Sequence, residues 1–151
     1  MKEIFKKLKG MVFVLEVLFS ACLISTKLVF MKFPDLIAWI ESTKTKKHSI
    51  SDSTDLLAIS KSKLIAFIFN VTQFKYFVIR KNCFKKSLLF YYWLHRFGVK
   101  NVQLIIGAFL EDEKIHGHAW ITINDEVFFD TVSKIKDYHI TFTTGVNIND
   151  K

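Results

Sequence analysis

The hydrophobic period of this chain changes once, at Gly98, and that change most restricts what the chain can fold into. Upstream of it, Phe84, Leu88, Tyr91, Tyr92 and His95 recur at three- and four-residue spacing. This predicts an amphipathic helix that opens near Asn82-Cys83 and stops at Gly98. Downstream, Val102 to Phe109 reads as a buried strand and Glu111 to Lys114 as a charged turn. His118 to Ile123 and Val127 to Asp130 read as a hairpin around Asn124-Asp125, and His139 to Thr143 as a last strand. Nearer the N-terminus, Ile4 to Ser42 reads as one or two helices, with Pro34 at a break or first turn. The lysine-rich stretch from Thr43 to Ser53 reads as a linker. A further helix, capped by Asp52 or Ser53, is expected through Leu56, Leu64, Ile65 and Ile68 to about Asn70, and residues 71–81 stay ambiguous. Helices first and antiparallel strands afterwards is the α+β pattern: a helical N-terminal half, then a helix packed on a small antiparallel sheet. With 151 residues the chain is read as one domain, a helical segment over about 1–50 and a core over about 52–145.

Half the residues are hydrophobic, 16 of them Phe, which excludes disorder. The net charge of +8 favours acidic partners, but the basic residues are dispersed and form no arginine-rich block. Nucleic acid is therefore not expected as a partner, and a solvated basic surface is the simpler reading. Cys22 and Cys83 make neither a disulfide framework nor a zinc motif, so free thiols and a reducing, cytoplasmic setting are expected.

Lys2, Lys6, Lys7 and Lys9 precede an apolar run from Met11 to Ile24, the outline of a signal peptide. Phe19-Ser20-Ala21-Cys22 also has the outline of a lipoprotein cleavage site. Against both, Glu16 puts a charge in mid-run, and Lys27 and Lys32 interrupt the stretch short of the ~20 residues a span requires. A buried amphipathic helix is favoured over a membrane anchor.

Cys83 alone would read as a packing residue, since free cysteine is among the most buried types. Its place at a helix start changes its chemistry: unpaired N–H groups and the positive dipole end favour a thiolate, and Lys81, Lys85 and Lys86 stand close in sequence. A thiolate nucleophile requires a base, and His118, after Gly117 and before Ala119-Trp120, is the candidate. Trp120 shares its strand face and is placed to exclude water. Asp130, one hairpin away, is the candidate orienter of the imidazole. A two-residue loop at Asn124-Asp125 would pair Ala119 with Asp130 and send His118 and Asp130 to opposite faces. The three-residue arrangement Cys83, His118, Asp130 therefore requires an odd loop or a bulge.

Other readings compete. His116 and His118 have metal-ligand spacing on one strand face, with Cys83 or Asp130 to complete a site, but no further ligand pair follows and no metal is expected. His48, His95 and His139 read as surface or packing residues. Asp125 rivals Asp130, although its turn position explains it, and Asp137 is a weaker rival.

Cys83-Phe84-Lys85-Lys86-Ser87-Leu88 followed by His95-Arg96-Phe97-Gly98-Val99 resembles the Cys-Leu-x-Arg-Ser-Leu … Arg-x-Gly-Ile helix of the lasso-peptide leader peptidases. Ile106-Gly107, His118-Ala119-Trp120 and Asp130 continue the match in order, and upstream of Cys83 the likeness is one of character only. The resemblance implies a transglutaminase-like, papain-related fold and a cysteine peptidase that removes the leader from a ribosomally made precursor. It implies Cys83 as nucleophile, His118 as general base and acid and Asp130 as orienter, with no cofactor. It also implies a separate leader-recognition protein as partner and allows a lasso cyclase as another. Phe84 and Lys86 stand where that family has Leu and Arg, and Lys cannot reproduce an arginine fork. Two further readings remain. One is an amidase or acyltransferase with the same three residues; the other is a non-enzymatic basic membrane protein lipidated at Cys22.

Overall fold

Eight consecutive residues, Ser87 to Leu94, are buried in the helix that starts at Cys83, so this helix has no solvent face along its middle. The computed structural model describes residues 2–43 (side chains from residue 10), 65 and 83–145. Within them the chain forms α1 (Lys2–Phe30), α2 (Phe33–Ser42), α3 (Cys83–Phe97), β1 (Val102–Glu111), β2 (Lys114–Ile123), β3 (Glu126–Phe128), α4 (Val132–Ile135) and β4 (His139–Thr143). The four strands make one antiparallel sheet in the order β3-β2-β1-β4, and the fold is α+β as expected. The expected linker over 43–53, the helix to Asn70 and residues 71–81 lie outside the described residues, apart from Thr43 and Ile65. Ile65 is helical and fully buried in the core.

The amphipathic reading of α3 is corrected. Its sheet-facing side meets Leu104 and Ile121, and its other side is covered by Val17, Ala21 and Ile24 of α1 and Leu36, Ile37 and Ile40 of α2. A helix enclosed on both sides becomes apolar all round. Polar ties run from α3 to α1, α2 and β2. Trp93 Nε1 donates to Ser20 Oγ of α1 at 3.0 Å, Tyr91 Oη to Glu41 Oε1 of α2 at 2.7 Å, and Ser87 Oγ to the Ala119 carbonyl of β2 at 2.8 Å. Such bonds add about 1 kcal/mol each, and in a buried setting they also fix which faces meet. Gly98 closes α3 with φ of 81°, where the Gly98 N–H reaches the His95 carbonyl and the Val99 N–H the Leu94 carbonyl.

Pro34 stands in the first turn of α2, the position its missing N–H tolerates. In α1, Val17, Ser20, Ala21 and Ile24 face α3, whereas Met11, Val12, Leu15, Phe19 and Cys22 are exposed. The expected buried helix thus has a second apolar face in solvent.

The hairpin strands depart from expectation at their ends. Lys114 to Gly117 extend β2 beyond the expected start at His118, after a two-residue turn at Asp112-Glu113 with positive φ at both. β3 is shorter than Val127 to Asp130: its pairs run Ile121 to Phe128, Thr122 to Val127 and Ile123 to Glu126, and then stop.

Candidate active site

The site forms where β3 ends early. Asn124 and Asp125 make a two-residue turn with φ of 51° and 65°, so the odd loop anticipated for Asp130 is absent. Continued in register, Asp130 would oppose Ala119 on the wrong face. Phe129 prevents this. Its backbone is left-handed, φ 60°, immediately after the last paired residue, and it turns the chain so that Asp130 comes back to β2. Tilted ring contacts of Phe129 with Phe90 (4.8 Å between centroids) and Phe128 (4.2 Å) hold a conformation that a bulky residue rarely adopts.

Asp130 Oδ2 then lies 2.6 Å from His118 Nε2, and Asp130 Oδ1 accepts the Thr131 N–H at 3.0 Å. A carboxylate only accepts, so Nε2 carries the proton in this pair and Nδ1 is left with its lone pair. Both side chains are partly shielded, 23% and 17% exposed. Cys83 reaches the same place from α3, with its Sγ 3.9 Å from the carbonyl oxygen of Gly117, the residue before His118. All three sequence candidates line one cavity of about 70 Å³, together with Lys86, Ser87, Phe90, Trp120, Ile121, Phe128 and Phe129. The structure therefore brings Cys83, His118 and Asp130 together. It leaves Asp125, Asp137, His116 and His139 exposed, and packs His95 edge-on against Tyr91.

The imidazole is positioned from behind. Trp120 stacks on it at 6.0 Å and 22°, and Tyr138 stands 5.5 Å from it on the loop before β4. Gly107 is the cross-strand partner of His118. A Cβ at Gly107 would lie 2.9 Å from Trp120 Cη2 and 3.0 Å from Tyr138 Cβ, so only glycine admits this aromatic backing. Ser87, inside the helix motif, bonds the Ala119 carbonyl and sets the height of α3 against β2. Tyr138 escapes sequence reasoning, because an aromatic in a loop carries no periodic signal.

A family model described as the transglutaminase-like superfamily matches residues 22–143. The chain belongs to the transglutaminase-like superfamily. The match spans α2, α3 and the whole sheet, together with the part of α1 that begins at Cys22. Neither a curated protein nor a solved structure matches the chain. Membership agrees with the α+β fold, and cysteine peptidase or amidase chemistry fits the superfamily.

Proposed function

We propose that this transglutaminase-like protein is a cysteine peptidase that removes the leader from a ribosomally synthesised lasso-peptide precursor. The observation that carries the reading is the 2.6 Å pairing of His118 Nε2 with Asp130 Oδ2 in the cavity that Cys83 lines. Asp130 fixes the tautomer that leaves Nδ1 free, and Nδ1 takes the Cys83 proton as Sγ attacks the carbonyl of the leader–core bond. The C–N bond breaks as His118 returns that proton to the departing core amine, and the leader remains as a thioester on Cys83. Water, deprotonated by the same nitrogen, cleaves the thioester, releases the leader carboxylate and restores the thiol. The Cys83 N–H at the start of α3 would serve as a backbone donor for the oxyanion.

The reading calls for a partner. About 70 Å³ accommodates the reacting group, far below the ~300 Å³ or more of pockets that hold a whole ligand. Most of the precursor then binds elsewhere, which fits a separate leader-recognition protein, with a cyclase receiving the freed core in the cytoplasm.

The test is incubation of the protein with candidate precursors and a leader-binding partner, read by mass spectrometry. Free leader and free core are expected, with uncut precursor for Cys83→Ala. A crosslinked product instead of two hydrolytic fragments would assign the same acyl-enzyme to an acyltransferase. Undiminished cleavage by Cys83→Ala would overturn the proposal.

A further inference from the structure

The first helix buries one apolar face and exposes another. Toward α3 it presents Val17, Ser20, Ala21 and Ile24. On the far side Met11 is 57% exposed, Leu15 57%, Phe19 70%, Val29 76% and Phe30 82%. Met11, Leu15 and Phe19 recur every four residues, with Val12, Cys22 and Thr26 beside them, so the exposed stripe runs about 30 Å without a charge along its centre. Exposed side chains that large and contiguous mark a surface built to be covered.

Charge identifies what covers it. Residues 1–34 carry six lysines, Lys2, Lys6, Lys7, Lys9, Lys27 and Lys32, against Glu3 and Glu16, and the chain as a whole carries +8. Four of those lysines fall in the first nine residues, where the helix begins. A long apolar stripe led by a cluster of lysines matches an anionic bilayer surface, which offers hydrocarbon and negative headgroups together.

We infer that α1 docks on the surface of an anionic lipid membrane, lying in its plane with Met11, Leu15, Phe19 and Phe30 in the headgroup–acyl boundary. Contrary to the expectation drawn from Glu16, Lys27 and Lys32, the helical segment Gly10–Phe30 is long and apolar enough to cross a bilayer. Its packing opposes that orientation: crossing would pull Val17, Ala21 and Ile24 out of the core and part Ser20 from buried Trp93. An in-plane helix keeps those contacts and buries only what is already exposed. The cavity that Cys83, His118 and Asp130 line takes no residue from α1, so docking through α1 leaves its lining untouched.

Co-sedimentation of the full chain with vesicles tests this independently of any peptidase activity. Vesicles of phosphatidylcholine mixed with phosphatidylglycerol are expected to bind at least about tenfold more tightly than pure phosphatidylcholine, and added salt is expected to weaken that binding. Leu15→Glu and Phe19→Glu should each reduce binding about tenfold or more, the scale of one lost buried apolar side chain. Lys6→Gln combined with Lys7→Gln should reduce it on the order of twentyfold on the anionic vesicles alone. All variants should keep a cooperative melt, and an alkaline carbonate wash should release the wild type. Several results would overturn the inference: no preference for anionic vesicles, retention through the carbonate wash, or loss of the melt in both glutamate variants. So would a dimer in solution that Leu15→Glu dissociates, which would assign the stripe to a second copy of this chain.

Discussion

Asp130 uses its two oxygens separately: Oδ2 meets the imidazole, and Oδ1 takes the Thr131 N–H that anchors the carboxylate. Asp130→Asn can present its NH2 where the acceptor stood and favour the wrong imidazole tautomer. A loss of at least about a hundredfold in the rate of precursor cleavage is expected, with little change in the thermal midpoint. Gly107→Ala makes a contrasting case, since Gly107 meets His118 only as its backbone partner across β1 and β2 and brings no side chain to the site. Its Cβ collides with Trp120 and Tyr138, so a stability loss of about 1–3 kcal/mol is expected in urea unfolding, together with reduced cleavage as the imidazole loses its backing. At this scale the sequence was informative wherever chemistry dictates residue type. Cys83 and His118 stand out because a thiol at a helix start and a histidine on a strand have few other uses side by side. Gly107 was visible only as part of a motif, and its reason, the ring of Trp120, is a three-dimensional fact. Phe129 was illegible, since nothing in a phenylalanine announces a left-handed backbone held by Phe90 and Phe128.

Among the elements, the hairpin shows how a local rule holds while its consequence fails. Asn124-Asp125 gives the two-residue turn its residue types favour, and the pairing of Ile123 with Glu126 follows from it. The early end of β3 does not follow from any strand propensity; it comes from the tertiary need to bring Asp130 to His118. Asp125→Gly separates the two aspartates. Glycine suits φ of 65°, so chemical denaturation should show a gain of about 0.5–1 kcal/mol with cleavage intact. A loss of cleavage in Asp125→Gly equal to that of Asp130→Asn would sink the assignment of Asp130 as orienter. In α3, periodicity gave the element and its Gly98 stop, but a five-position stripe cannot reveal a helix enclosed on both sides. For α1 the run of apolar residues was plain, while its division into a core face and an exposed face depends on where α3 lies. The reading of Cys22 as a lipidated N-terminus conflicts with that division, because cleavage before Cys22 would strip Val17, Ser20 and Ala21 from the core.

Across the whole molecule, α3 lies between the helical layer and the sheet, and Tyr91 makes the tie most open to measurement. The side chain is buried, 1% exposed, and donates to Glu41 Oε1 at 2.7 Å. Burial pushes the Tyr91 phenol well above its usual range, and the neighbouring Glu41 carboxylate pushes in the same direction against a lowering contribution from Thr144. Because the folded value is raised, the stability it represents is fully present below the unfolded tyrosine pKa of about 10 and is lost as pH rises above it. In that range the unfolded chain releases a proton that the folded chain keeps, so ν_U falls below ν_N and unfolding becomes easier with every increment of pH. One such group integrates to about 1 kcal/mol between pH 10 and 11. Tyr91→Phe removes the titration and retains the ring against His95, leaving exposed Glu41 to water. Every other ionisable group is common to the two proteins, so the difference isolates Tyr91. Urea unfolding at pH 9, 10 and 11 should show the wild type more stable at pH 9 and the advantage shrinking by about 1 kcal/mol from pH 10 to 11. Parallel curves for the two proteins would mean that Tyr91 reaches solvent, and that α3 is not sealed between the helical layer and the sheet.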